Sequence, residues 1–367
     1  MPRLARRHLA IGQVAWVLSL AMCASLAAPA TPDDSPRDWL GRMAHALEYL
    51  NYQGTLVQLE GQEPAVMRIV HRVEDGVPTE RITALDGVGR EIIRHGDVVT
   101  CILPDQHLVL VEDRDGEGRK ASPLQRQFGG NLSVDDRYYR LAIATGGKLL
   151  GRATNVITMR PADNFRYGYR LWLDHATAMP LKIQVTADDG SVVEQLLFSD
   201  ISLPSSIPAS AVQATRATDD YTWHRSATMP GTQPAGSSAA GWTVDDPPPG
   251  FTLRTVRAQR RSPVTAGSKA TATDKTTAGD AEAVEPIRQL VFSDGVASVS
   301  VFVEAGVKAV ERSEGSSRIG AANAYTTMAA DHLITAMGEV PARTVEAMAR
   351  SVRPPPGAES AARTGAP

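Results

Sequence analysis

The stretch ERITALDGVGREIIRHGDVVTCILP, from Glu80 to Pro104, constrains the fold more than any other part of the chain. Asp86-Gly87 and His95-Gly96-Asp97 carry turn chemistry. Glycine takes positive φ at little cost, and aspartate caps its own backbone. Between the turns lie β-branched runs, Ile92-Ile93 and Val98-Val99-Thr100-Cys101-Ile102. Such runs suit a pleated, half-buried surface. Three short strands folded on tight turns are marginal alone and must continue into a larger sheet.

The flanking chain supplies that sheet. Gly54 to Glu60, Val66 to Arg72 and His107 to Glu112 alternate as strands. In the first, Thr55, Val57 and Leu59 share a face. Asn155 to Arg160, Arg166 to Asp174, Pro180 to Thr186 and Ser191 to Phe198 follow, with Tyr169, Leu171 and Leu173 on one face and Leu181, Ile183 and Val185 on another. Short turns make the neighbours antiparallel. Ser35, Pro36 and Asp38 form a helix-start signal ahead of the stripe Leu40, Met43, Ala44, Leu47 and Leu50. Residues 113 to 133 read as a polar loop. Residues 134 to 146 read as a second helix, with Tyr138, Tyr139, Leu141 and Ala142 inward. The fold class is therefore mainly β: a large antiparallel sheet of roughly ten strands covered by one or two helices.

The first thirty residues stand apart. Arg3, Arg6 and Arg7 precede an uncharged apolar run that ends in Ala28-Pro29-Ala30, the pattern of a cleaved signal peptide. A retained anchor is the alternative, and Met22 before Cys23 argues against lipidation. Cleavage removes three arginines and no acid, which takes the formal charge from −3 to −6. Cys101 is then the sole cysteine, so no intramolecular disulfide forms, and mid-strand it reads as a small buried hydrophobe. Near-balanced charge offers no basic face for nucleic acid.

Residues 31–202 form the large domain on this reading. Residues 203–241, rich in Pro, Ser, Ala and Thr, have linker composition, with Trp223 and His224 docking on a domain. A smaller domain occupies 242–352. It has a strand from Phe251 to Gln259, a hairpin across Ser293-Asp294-Gly295, a second hairpin around Asp331 and a helix from Pro341. Residues 262–286 read as a disordered excursion, and 353–367 as a disordered tail. No nucleophile elbow, phosphate loop, HExxH or CxxC is present, and the histidines show no ligand spacing. No catalytic residue, metal site or cofactor is therefore assigned. Arg254, Arg257, Arg260 and Arg261 cluster at the start of the small domain, where a solvated strand end and a docking site for an acidic segment are both open.

The segments DGVPTERITALDGVGREIIRHGDVVTCILP, RYGYRLWLDHATAMPLKI, WTVDDPPPGF, LVFSDGVASVSVFVE and GEVPARTVEAMARSV together resemble the RseB/MucB family, periplasmic regulators of the sigma-E type envelope-stress response. The resemblance runs from about Asp38 to Val352. It implies a large domain similar to lipoprotein carriers, a half-closed antiparallel barrel under helices, and a smaller domain of sheet and helix. It also implies a role: binding the periplasmic segment of an anti-sigma factor, shielding it from regulatory proteolysis, and release by lipopolysaccharide or mislocalised lipoprotein. On that basis Val57, Leu59, Met67, Ile69, Leu171, Leu173 and Ile183 are candidates for an acyl-chain cavity. Arg257, Arg260 and Arg261 are candidates for partner contact. A lipid or lipoprotein carrier is the alternative function. Whether copies of the chain associate stays open.

Overall fold

A computed structural model describes residues 35–60, 63–113, 124, 128, 132–226, 233–234, 241–259, 287–305 and 314–356. The expected signal peptide, the expected excursion at 262–286, the end of the expected tail, Arg260 and Arg261 lie outside the described residues.

The chain opens with helix α1, Pro36–Tyr49. Ser35 caps it, its side chain accepting from the Asp38 amide at 3.1 Å, and Pro36 stands at the first turn, where no N–H is needed. Trp39, Leu40, Met43, Ala46 and Leu47 are buried. Each of the larger ones contributes on the order of 2 kcal/mol of apolar burial.

Six strands follow as a meander: β1 (Tyr52–Glu60), β2 (Glu63–Glu74), β3 (Val77–Ala84), β4 (Glu91–His95), β5 (Val98–Leu103) and β6 (Leu108–Asp113). A second meander comprises β7 (Tyr139–Leu149), β8 (Arg152–Pro161), β9 (Gly168–Asp174), β10 (Pro180–Thr186) and β11 (Val192–Ser202). The two join where β1 pairs antiparallel with β11. A twelfth strand, β12 (Thr222–Ser226), adds to β6 in parallel, the exception to the antiparallel rule. The order is β12-β6-β5-β4-β3-β2-β1-β11-β10-β9-β8-β7, so β12 and β7 are the two edges.

Three expectations are corrected here. Residues 139–149 are a strand, not a helix; only Tyr139 is fully inward, and Ala142 is exposed. Leu124 and Phe128, within the stretch read as a polar loop, are helical and buried in the core beside α1. Residues 203–212 are bound to the large sheet rather than free as a linker, since Ile207 and Val212 pack on Val70; Trp223 and His224, expected to dock on a domain, lie in β12.

The smaller sheet contains β13 (Gln233–Pro234), β15 (Thr252–Gln259), β16 (Ile287–Ser293), β17 (Ser298–Ala305), β18 (Gly315–Ile319), β19 (Ala322–Ala329) and β20 (His332–Gly338). Its order is β13-β15-β16-β17-β20-β19-β18. Helix α2, Ala342–Arg350, lays Val345, Met348 and Ala349 on it. A two-strand clasp of β14 (Thr243–Val244) and β21 (Val352–Arg353) ties the start of this domain to its end. Among the described residues, no helix is long and apolar enough to cross a membrane.

Candidate functional site: the junction of the two domains

The two sheets meet around Arg166, whose side chain is fully buried. Its Nε donates to Asp163 Oδ1 at 3.1 Å, and its Nη2 donates to the Pro249 carbonyl at 2.5 Å. Nη1 lies 3.1 Å from Asp294 Oδ2, an ionic contact rather than a directed hydrogen bond. The guanidinium stacks over Tyr138 at 4.5 Å and Phe251 at 5.2 Å. A buried guanidinium needs this density of acceptors and ring faces, because desolvation without partners costs several kcal/mol.

Asp294 stands in the β16–β17 turn and serves both domains. Its Oδ1 accepts from the Val296 and Ala297 amides, and its Oδ2 accepts from the Tyr139 hydroxyl at 3.2 Å. Burial, with smaller contributions from Tyr169 and Asp294, drives the Tyr139 hydroxyl well above the usual phenol range. Next to it, Gly295 has φ +95 and accepts the Ser133 amide on its carbonyl at 3.1 Å. A Cβ there would come within 2.2 Å of the Ser133 carbonyl oxygen, so only glycine allows this approach. Asn323 donates to the Tyr167 hydroxyl at 3.0 Å, and Thr344 donates to the Phe165 carbonyl at 2.6 Å. Ala321 and Val296 of the small domain pack into the large domain's core.

Beside this seam runs an open groove of about 590 Å³, lined by Gln58, Glu60, Ala65 and Val193 on one side and Arg318, Ile319 and Gly320 on the other. Ile319 is 81% exposed, and Leu59 and Val192 are also exposed.

The predicted acyl-chain residues do not share one face. Ile69, Leu171, Leu173 and Ile183 are fully buried in one core with α1, Leu124 and Phe128, and Met67 packs on its margin. Val57 and Leu59 point the other way. The core face of β1 is Tyr52, Gly54 and Leu56, because apolar residues alone do not say which face is covered. Arg257 is half-buried on β15, opposite Gln289. Cys101 is half-buried rather than enclosed.

A buried polar row crosses the first four strands on the core face. Tyr52, His71, Glu80 and Arg94 are successive cross-strand neighbours. Tyr52 stacks on His71 at 4.6 Å and its hydroxyl donates to Glu80 at 3.3 Å. His71 Nε2 lies 3.2 Å from the Glu48 carbonyl, which can only accept, so Nε2 carries the proton and ties the end of α1 to the sheet. Burial first, and Glu80 second, raise the Tyr52 hydroxyl well above its usual range. Among the described residues, no group of His, Cys, Asp and Glu is arranged to hold a metal ion.

Residues 35–216 match the MucB/RseB N-terminal domain and residues 236–353 match the MucB/RseB C-terminal domain. The sigma factor AlgU regulatory protein MucB of Pseudomonas aeruginosa is 30% identical over 92% of this chain and 96% of its own length. The chain belongs to the MucB/RseB family. The sigma-E factor regulatory protein RseB of Escherichia coli is 23% identical over 86% of this chain and 89% of its own. The crystal structure of MucB in complex with MucA(peri) aligns over 88% of this chain and 99% of that one, at 26% identity and a TM-score of 0.61. MucB alone aligns with a TM-score of 0.54 at 25% identity, over 87% of this chain and 98% of that one. The MucB/RseB likeness thus spans both sheets and the Arg166 junction between them.

Proposed function

We propose that the chain is a periplasmic negative regulator of an extracytoplasmic sigma factor. It holds the periplasmic segment of a membrane-spanning anti-sigma factor and shields that segment from regulatory proteolysis. The observation that carries this reading is the likeness, across both domains, to MucB in complex with MucA(peri). The junction supports it physically. Arg166 and Asp294 lock two sheets into one body, and that body presents a groove with Ile319 and Arg318 on its wall. A stable complex buries about 1,200–2,000 Å² in total, more readily found across two domains than on one. The protein acts by occupying surface and breaks no bond.

Release by lipopolysaccharide or lipoprotein acyl chains belongs to the same reading. A lipid that favours a form unable to hold the partner lowers partner affinity by the same factor that the partner lowers lipid affinity. Acyl chains reach Ile69, Leu171, Leu173 and Ile183 only if α1, or the side chains of Leu124 and Phe128, move aside. Opening of that cover is the lipid-sensitive step.

The test is calorimetric titration of the mature protein with the periplasmic region of the cell's own anti-sigma protein, with and without lipid A. Binding that weakens at least tenfold with lipid supports both halves. Binding indifferent to lipid removes the sensing half, and no binding removes the whole.

A further inference from the structure

Strand β7 pairs with β8 on one side, and no described residue pairs with its other side. From Tyr139 to Thr145 the register with β8 is regular. It then breaks at a bulge, where a Cβ on Gly146 would come within 2.3 Å of Thr154 Oγ1. Thr154 Oγ1 donates to the Gly147 carbonyl at 2.8 Å and pins the bulge. The result is an edge of regular register with a fixed stop. Ala142, Ile143, Ala144 and Thr145 along it are exposed, and no proline or inward charge blocks it. An edge of this kind recruits another chain.

The charge beside the edge selects what it recruits. Arg140 stands directly opposite Arg160, an arrangement that costs stability in a sheet. Arg170, opposite Thr158 on the next strand, adds a third cation to the same face. Arg160 and Arg170 are exposed and have no carboxylate partner among the described residues; Arg170 lies over Trp172 at 6.0 Å. Among the described residues Arg140 bonds a carbonyl, that of Asp136, and no carboxylate. Of the nearby acids, Asp163 pairs with Arg166, Asp188 with Arg343 and Asp136 with Arg37, while Asp189 accepts from the Ser191 amide. A second copy fits poorly, since β7 carries Arg140 and Lys148 and no acid. A membrane surface would use the cations but leave the backbone edge unpaired.

We propose that the free edge of β7 takes up an extended acidic segment of a partner chain as a further strand, with its carboxylates set against Arg140 and, at the reach of long side chains, Arg160, while Arg170 adds to the positive field behind them. The inference rests on the partner reading above and says where an extended part of that partner lies. The edge begins at Tyr139, inside the Arg166 cage, and so leads directly out of the junction.

The experiment is amide hydrogen exchange on the full mature chain with two probes: the periplasmic region of the anti-sigma protein and a synthetic peptide of alternating Glu and Val. Both are expected to protect amides within Tyr139–Thr145. The double variant R140E/R160E, exposed at both sites, is expected to bind at least tenfold more weakly at low salt, with the loss shrinking at high salt. If the anti-sigma region binds without protecting Tyr139–Thr145, or the double variant binds within twofold, the edge inference fails while the partner reading stands. If the anti-sigma region does not bind, the partner reading fails, and the Glu–Val peptide still decides the edge. Protection that appears with protein concentration alone, or with phosphatidylglycerol vesicles alone, assigns the edge to a second copy or to a membrane and overturns the inference.

Discussion

Replacing Asp294 with asparagine removes one charge from the centre of the junction and, where Oδ2 becomes an NH2, the acceptor of the Tyr139 hydroxyl. The amide oxygen can still accept from the Val296 and Ala297 amides and keep the turn. What is lost is the carboxylate 3.1 Å from Arg166 Nη1, with both side chains fully buried. At that distance the pair attracts by about 5 kcal/mol for an effective dielectric of about 20. Breaking a buried pair from one side costs about 3–5 kcal/mol, because the remaining charge stays desolvated. Asp163 still accepts from Arg166 Nε, which places the expected loss near the lower figure, about 3 kcal/mol. For a folding unit of 150–250 residues this lowers Tm by about 6–12 °C. Differential scanning calorimetry reads it directly. The wild-type chain should melt in one transition because the junction couples the sheets. Asp294→Asn should melt earlier and split into two. A single unshifted transition, or a loss below about 1 kcal/mol, would refute the claim that this pair joins the domains.

Gly295→Ala should cost at least about 2 kcal/mol in urea denaturation, since φ +95 and the Ser133 carbonyl both oppose a side chain. Phe128→Ala should cost about 3–5 kcal/mol, measured the same way, as expected for a core residue and not for a loop residue. Tyr52, Tyr139 and Tyr169 have hydroxyls raised by burial, so their folded pKa lies above the unfolded value near 10. Their contribution is complete below that pH and lost as pH rises toward the folded value. An ultraviolet titration should therefore show these three ionising only together with alkaline unfolding. At the acid end, burial pushes the Asp174 carboxyl up, but hydrogen bonds from Arg152 and Thr177 outweigh it and hold the pKa low. Its contribution is present above the unfolded value near 4 and lost as pH falls through the folded one. Asp174→Asn should flatten the acid limb of a stability curve, removing about 1.5–3 kcal/mol at pH 7.

Much of this architecture is legible in local chemistry. Ser35-Pro36 with Asp38 marks the start of α1, and Asp86-Gly87 and Gly96 mark the turns of the first meander, because these signals act over a few residues. Tyr139 to Leu149 misleads. Tyr138, Tyr139, Leu141 and Ala142 fit a helical spacing, and the edge position removes the alternation that would reveal a strand. In β1 the alternation is visible but its sign is not. Val57 and Leu59 look inward until Tyr52, Gly54 and Leu56 are seen under α1. The junction has no local signature at all. Arg166 reads as the polar start of a tyrosine-rich strand and Asp294 as an ordinary turn residue. Their meeting depends on how two separate sheets dock, which no short-range pattern encodes.

The most direct measurement is the rate at which the first regulatory protease cleaves the anti-sigma protein's periplasmic segment, with and without a saturating amount of the mature chain. Occupancy of the segment by a rigid two-domain body should slow cleavage at least tenfold, and Asp294→Asn should restore part of the lost rate. Cleavage at an unchanged rate while the segment is demonstrably bound would contradict the account.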